Sequence, residues 1–209
     1  MTDISLFDAI HSQRAIRHFS TDPVSGEAIT TILEAAIRAP SGGTRQRWSF
    51  LVIRDRETKR RLGQWYFEAW NGLASAMDLD SPAGQPYRPS MLTDGMEDIP
   101  VLILACQERP AAGFGPHPIT SGASIYPAVQ NIMLAARALG LGTVLTTLHT
   151  QHEQDVKALL GIPENVDTAA LIPVGYPARG RSFGGSKRNQ VGEVTYYEKW
   201  GDLGRKVAQ

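Results

Sequence analysis

Apolar positions along the chain recur at two spacings, which predict an alternation of helices and strands. Spacings of three and four residues are typical of amphipathic helices and predict them over residues 4–10, 26–39, 57–77, 125–139 and 155–160. Short apolar and β-branched runs predict strands over residues 48–53, 100–105, 143–147 and 169–174. Ser25 is the expected N-cap of the second helix, Pro40 its end, and Gly140 the stop of the fourth. This order leaves room for a mixed central sheet flanked by helices.

Three segments lack such periodicity. Residues 81–98 are rich in glycine and proline, and because loops of this length are often functional we expect them to form a lid over a binding site. A similar loop covers residues 110–118. Residues 178–209 follow the last strand as a polar extension ending in several aromatic residues, and we expect this extension to pack on a partner subunit.

Charge and composition narrow the function classes. The 209 residues include 21 Lys and Arg and 21 Asp and Glu, so no overall charge would draw the chain to nucleic acid or an anionic membrane. No apolar stretch approaches the roughly 20 residues that span a bilayer, and the N-terminus lacks a basic secretory segment. We expect one domain over residues 1–209 in the cytoplasm, with Cys106 packed in its core in a reducing compartment.

Arginines from two distant segments are the main candidates for binding chemistry. Residues 13–17 are Gln-Arg-Ala-Ile-Arg, and residues 186–188 are Ser-Lys-Arg. Arginine binds a phosphate monoester through paired, charge-assisted hydrogen bonds, and each of these bonds contributes about 1.5–3 kcal/mol. Alone, Arg14 and Arg17 would more often be solvated surface charges. The second segment and a turn at residues 40–44 favour a phosphate-bearing cofactor instead.

These stretches together resemble the nitroreductase family of FMN-dependent oxidoreductases along nearly the whole chain. Residues 13–17 match the family's Arg-Arg-Ser-x-Arg segment, with Gln13 and Ala15 at two of its positions. Residues 40–48 match its Pro-Ser-x-x-Asn-x-Gln-Pro-Trp turn, with Thr44 in place of the amide and Arg47 in place of the proline. The Leu-Thr-Thr run at residues 145–147 is similar to a strand end beside the flavin ring, and Arg188 to a C-terminal phosphate-binding arginine.

The resemblance implies an α+β nitroreductase-like fold with a mixed sheet, working as an intertwined homodimer. Arg14, Arg17 and Arg188 would hold the FMN phosphate and ribityl chain, and the turn at residues 40–44 would approach the flavin bound mainly by the other subunit. The cofactor-binding residues implied in this way are Gln13, Arg14, Ala15, Arg17, Pro40, Ser41, Gly42, Thr44, Leu145, Thr146, Thr147, Ser186, Lys187 and Arg188.

The activity implied is transfer of hydride from NAD(P)H through bound FMN to an electron-poor acceptor, such as a nitroaromatic or a quinone, by a ping-pong mechanism. Because one fold supports several chemistries, reductive dehalogenation and flavin fragmentation are alternatives. A non-catalytic flavin-binding or storage protein is a further alternative from another class.

No other catalytic or metal motif accompanies these segments. The sequence has no Gly-x-Ser-x-Gly elbow and no complete dinucleotide fingerprint, so nicotinamide is expected as a visiting substrate and no catalytic side chain is assigned. His149 and His152 lack the further ligands that zinc needs, and His149 is expected either near the flavin ring or hydrogen-bonded in a loop. The aromatic residues at 65–67 and 70 are expected to be mostly core, with one or two lining the substrate channel.

Overall fold

The structure, a computed structural model, describes residues 4–109 and 120–203. Its helices are α1 Leu6–Ser12, α2 Gly26–Ala36, α3 Arg56–Ala74, α4 Ile125–Ala138 and α5 Glu153–Leu160. Its strands are β1 Trp48–Ile53, β2 Val101–Glu108, β3 Gly142–Thr143 and β4 Val166–Gly175. The loop expected over residues 110–118 lies outside the described residues.

The four strands form one sheet in the order β1-β2-β4-β3, with every ladder antiparallel. The α+β fold expected from the sequence is confirmed, and the parallel part of the expected mixed sheet is a single bridge between Ala15 and Thr143. The strand expected over residues 143–147 is shorter than its β-branched sequence suggests. The chain leaves the sheet after Thr143, and its backbone pairs with β4 again where Thr146 bridges to Leu171.

Helices cover both faces of the sheet, so β2 is buried on both sides over most of its length. Ile103 belongs to the core formed with α2 and α4, whereas its neighbour Leu104 belongs to the opposite core, which includes residues of α3. Burying an aliphatic side chain of this size stabilises the fold by about 1.5–3 kcal/mol. A strand buried on both faces explains why its sequence is a continuous apolar run.

Helix boundaries follow local capping signals. The Ser25 side chain accepts a hydrogen bond from the Ala28 N–H, which confirms the expected cap of α2. The helix ends at Ala36, before Pro40, because the chain tightens into short-range turn bonds ahead of the proline. Gly140 adopts φ 75°, a left-handed conformation that suits glycine after the end of α4.

The N-terminal arginine segment is fastened to β3. The Ile16 N–H donates to the Thr143 carbonyl at 2.9 Å, and the Ile16 side chain is buried. Gly142 leaves no room for a larger residue there, since a Cβ added to it would lie 2.8 Å from the Ile16 Cβ. This close approach sets where the flanking residues Ala15 and Arg17 emerge.

Gly142→Ala should lower the free energy of unfolding by about 1–3 kcal/mol, because the new methyl group overpacks against Ile16. Gly72→Ala is the matched control: Gly72 lies in α3 with open space around its Cα, so alanine should raise the free energy of unfolding by about 0.5–1 kcal/mol. Urea unfolding of the two variants measures both effects, and equal stability of the two would contradict the close approach.

Candidate functional site

A cleft of about 660 Å³ opens beside the N-terminal arginine segment. Three stretches distant in sequence line it: residues 14–18, residues 85–90 and residues 180–186. Arg14, Arg17, Arg88 and Arg181 contribute four guanidinium-bearing side chains to its wall, and no carboxylate of the described chain lines it. A cleft with this lining attracts an anionic ligand.

Arg14 and Arg17 differ in how they are held. The Arg14 Nη1 donates to the Gly184 carbonyl at 3.0 Å, which ties the N-terminal segment to the loop that follows β4. The Arg17 guanidinium is half-buried and makes no hydrogen bond or ion pair with any residue that the structure describes. Burial lowers the pKa of Arg17, which measures the cost of holding this cation partly out of water.

His18 and Arg181 also line the cleft, and neither was assigned from the sequence. Burial lowers the pKa of His18, and the positive charges of Arg181 and Arg17 lower it further, so the imidazole is neutral at pH 7. The only sequence signal for Arg181 was its position in the glycine-rich stretch before Ser186. Such a residue reaches the cleft through tertiary packing, which sequence periodicity does not encode.

A second pocket of about 370 Å³ adjoins the cleft. The two cavities share Arg17, Pro86, Arg88 and Ser90, so the loop expected as a lid lines both. Tyr66, Trp70 and Tyr87 form aromatic walls of the second pocket, and residues 144–148 line it as well, together with Leu73, Leu92 and Thr93. We call it the aromatic pocket.

The structure places the sequence-assigned residues in three locations. The cleft contains Arg14, Ala15, Arg17 and Ser186. The aromatic pocket contains Arg17 again, together with Leu145, Thr146 and Thr147. The residues that line neither cavity are Gln13, Pro40, Ser41, Gly42, Thr44, Lys187 and Arg188.

Residues that line neither cavity have identifiable positions. The Gln13 amide points at α4, with its Nε2 3.7 Å from the Met133 sulfur. Lys187 and Arg188 are exposed, and Arg188 donates to the Lys187 carbonyl at 2.9 Å. They follow directly on Ser186, which lies in the cleft wall.

The turn at residues 40–44 lies far from the arginine segment. The Gly42 N–H donates to Ser124 Oγ at 3.2 Å, just before α4 begins, whereas Arg137 near the end of α4 donates to Ser12 Oγ at 2.8 Å. The 14 residues of α4 span about 20 Å at 1.5 Å per residue. The two sequence motifs therefore sit at opposite ends of this helix within one chain.

This turn is also strained. Thr44 and Gln46 have φ of 55° and 47°, in the left-handed region that non-glycine residues seldom occupy. Such a conformation costs about 1–3 kcal/mol per residue and concentrates at functional sites. The Gln46 N–H bonds to Ser41 Oγ at 3.2 Å, which helps to hold it.

The aromatic residues of α3 divide between wall and surface. Tyr66 and Trp70 line the aromatic pocket, and the expectation that one or two members of the group line a substrate channel stays a prediction. The Trp70 Nε1 donates to the Tyr87 carbonyl at 2.8 Å and so ties α3 to the loop. Trp65 stacks on His152 with ring centroids 6.4 Å apart, and Phe67 is largely exposed.

His149 lies behind the pocket rather than in its wall. It is 1% exposed, and both ring nitrogens lack a hydrogen-bond partner, unlike the hydrogen-bonded loop position considered from the sequence. Burial lowers the pKa of His149 to about 4, and the Glu153 carboxylate opposes this only in part. Cys106 is fully buried, as expected, and burial raises its pKa to about 11.

Within residues 4–109 and 120–203, no cluster of three or more His, Cys, Asp and Glu residues could hold a metal ion. Across the same ranges, no helix has both the length and the apolarity needed to cross a membrane.

The architecture matches solved flavoproteins. A crystal structure of oxidized iodotyrosine deiodinase bound to FMN and 3-iodo-L-tyrosine superposes with a TM-score of 0.78 at 24% identity, covering 94% of this chain and 100% of that one. The fold is therefore nitroreductase-like.

Sequence comparison then fixes the family. The model of the Nitroreductase family matches residues 10–176, and the chain belongs to this family. An Archaeoglobus fulgidus protein named as an NADH dehydrogenase/NAD(P)H nitroreductase is 29% identical over 196 residues, covering 91% of this chain and 96% of the relative. Iodotyrosine deiodinase 1 of Rattus norvegicus is 27% identical over 206 residues, covering 93% of this chain and 70% of the relative.

Acidification should destabilise the protein through His149. The folded-state pKa of about 4 lies below the ordinary value of 6.5, so between these limits the unfolded chain takes up a proton that the folded one resists. The contribution is about 3 kcal/mol over this range, fully retained above pH 6.5 and lost progressively towards pH 4.

Urea unfolding of wild type and His149→Leu between neutral pH and about pH 4.5 measures how much His149 contributes to the loss of stability on acidification. The variant should show a shallower loss of stability on acidification, whereas His11→Leu, at an exposed position on α1, should follow the wild type. Parallel pH profiles for wild type and His149→Leu would contradict the assignment.

Proposed function

We propose that the chain is an FMN-dependent oxidoreductase that transfers hydride from NAD(P)H to an electron-poor acceptor. The observation that carries the proposal is the Arg17 guanidinium, half-buried, unpartnered within the described chain, and common to the cationic cleft and the aromatic pocket. A ligand that joins an anionic group to a planar ring would satisfy both cavities. FMN is such a molecule, and family membership supports this choice.

The donor set fits the cofactor. A phosphate monoester is held best by arginine and hydroxyl donors, and Arg14, Arg181 and Ser186 face the cleft without a competing carboxylate. The cleft volume lies within the range typical of small-molecule and cofactor sites. Arg188 lies two residues from Ser186, so its side chain could join these donors by changing rotamer.

Bound FMN would supply the redox chemistry, and the protein would bind the cofactor, orient it and shield it from water. Arg17 would place positive charge between phosphate and ring, where it stabilises negative charge that develops on reduction. Thr146 and Thr147 would border the ring, and the loop at residues 85–90 would restrict water on its open side. No side-chain acid, base or metal is assigned to this exchange.

A homodimer would complete each site. The strained turn at residues 40–44 lies about one helix length from the arginine segment of its own chain, so it is free to serve the site of a partner. Exposed apolar residues favour such a partner: Phe7 on α1 is 69% exposed and Trp200 in the C-terminal extension is 92% exposed. We propose that this extension, from residue 178 onwards, packs on the second subunit.

Reductive dehalogenation is the second candidate. Iodotyrosine deiodinases of several animals are among the relatives, and the aromatic pocket could stack a ring beside Trp70 and Tyr87. The two activities share the same cofactor and cleft and differ in the acceptor, so acceptor screening separates them.

Purified protein should contain FMN, and Arg17→Met should lower FMN affinity at least tenfold, because a charge-assisted hydrogen bond is worth about 1.5–3 kcal/mol. Arg188→Ala should also release flavin while the protein stays folded. Arg38→Ala, an exposed change just after α2, is the matched control and should retain the cofactor. Flavin absorbance after gel filtration, with circular dichroism as the folding check, provides the measurement; a colourless wild type that FMN cannot reconstitute refutes the proposal.

Donor and acceptor should use one cavity in turn, because a ring stacked on the flavin leaves no room for a second. Initial rates with NADH or NADPH at several fixed concentrations of a quinone should therefore give parallel double-reciprocal lines. Lines that intersect with fully flavin-loaded protein would establish a ternary complex and exclude the shared cavity.

A further inference from the structure

Tyr66 has a polar group that the fold leaves unused. Its side chain is 7% exposed and lines the aromatic pocket, and its hydroxyl makes no hydrogen bond with any residue in the described part of the chain. Because Tyr66 lines the aromatic pocket and its hydroxyl has no partner within the described chain, a ligand in the pocket could accept a hydrogen bond from it. An unpartnered hydroxyl on an otherwise buried residue destabilises the fold unless a ligand or water accepts a hydrogen bond from it.

Two cations share this pocket with Tyr66. Arg17 has no partner, as described above. Arg88 donates through Nε to the Leu79 carbonyl at 3.1 Å and through Nη2 to Asp80 at 2.7 Å, and its Nη1 has no hydrogen bond among the described residues. Because the Asp80 side chain is 90% exposed, water weakens this ion pair and Arg88 remains available to a ligand.

The remaining walls are flat and apolar. Trp70 and Tyr87 are joined by a hydrogen bond, and Leu73 and Leu145 add aliphatic surface. No carboxylate of the described chain lines this pocket. Aromatic walls favour a planar ring, whereas guanidinium and phenol donors favour an oxygen that carries negative charge.

We propose that the aromatic pocket selects acceptors in which a planar aromatic ring bears an oxyanion, either a carboxylate or a phenolate, with Tyr66 and Arg88 as the residues that determine this specificity. The Tyr66 hydroxyl donates a hydrogen bond to the oxyanion, and the Arg88 Nη1 provides a second donor. This inference rests on the proposed function, since it names the acceptor class for the same site.

Burial raises the pKa of the Tyr66 hydroxyl, with the positive charge of Arg17 opposing the shift. The hydroxyl therefore keeps its proton at neutral pH and acts as a donor. No covalent change at Tyr66 is involved.

Binding to oxidised protein without a hydride donor tests the proposal directly. Calorimetric titration should give at least tenfold tighter binding of benzoate than of its neutral isostere benzamide if the class is carboxylate. If the class is phenolate, 4-nitrophenolate should bind at least tenfold more tightly than nitrobenzene. Either preference supports the proposal and identifies the oxyanion; neutral and anionic ligands of equal affinity in both pairs overturn it.

Variants then assign the preference to residues. Tyr66→Phe and Arg88→Met should each lower the affinity for the preferred oxyanion about tenfold while changing that for the neutral isostere less than twofold. Arg88→Lys should restore part of the loss, because lysine keeps the charge but not the paired donors. Tyr176→Phe, outside both cavities, is the matched control. Equal losses for anion and isostere would indicate packing alone and refute the role of Tyr66.

Flavin content separates this inference from the proposed function. A flavin-loaded protein that turns over neutral acceptors but shows no oxyanion preference disproves the acceptor class only. A protein that binds benzoate selectively but never binds FMN disproves the cofactor assignment and retains the oxyanion pocket.

Discussion

Burial of β2 on both faces is the constraint on which the other elements depend. Val101, Ile103 and Ala105 pack with α2 and α4, whereas Leu102 and Leu104 belong to the core that includes α3. Each helix layer needs an apolar sheet face to cover, and the sheet needs both layers because its central strand has no polar side to present to water. The cleft forms at the rim of this sandwich, where the first segment of the chain bridges to β3.

The candidate site exists because the fold holds cations partly out of water. Arg17 loses hydration without gaining a protein partner, which is unfavourable unless a ligand supplies an anion. Arg14 is different, since its bond to the Gly184 carbonyl already positions it. The unpartnered Arg17 guanidinium and the left-handed residues Thr44 and Gln46 both cost stability, and such costs concentrate at functional sites.

Helix α4 separates two motifs that the sequence suggested to be parts of one site. The turn at residues 40–44 is hydrogen-bonded to Ser124, just before the first residue of α4. The segment before Arg14 is hydrogen-bonded to Arg137, near the last residue of α4. A rigid helix of this length prevents the two from meeting within one chain. In the proposed homodimer, the turn of one copy would serve the site of the other.

Periodicity, caps and the apolar run of β2 are local properties of the sequence, and they predicted most of the helices and strands. The resemblance of residues 13–17, 40–48 and 145–147 to known motifs indicated the fold class and the family. It also identified Arg14, Arg17 and Ser186, which lie in the cleft together. It did not identify Arg181, His18 or Arg88 as neighbours, nor the lack of hydrogen-bond partners at His149 and at the Tyr66 hydroxyl, because each depends on which loops meet at the end of the sheet. Tertiary structure also decided that β3 ends at Thr143, because packing between layers determines where a chain leaves a sheet. It likewise decided that the turn at residues 40–44 lies far from the arginines, because packing places the two motifs at opposite ends of α4.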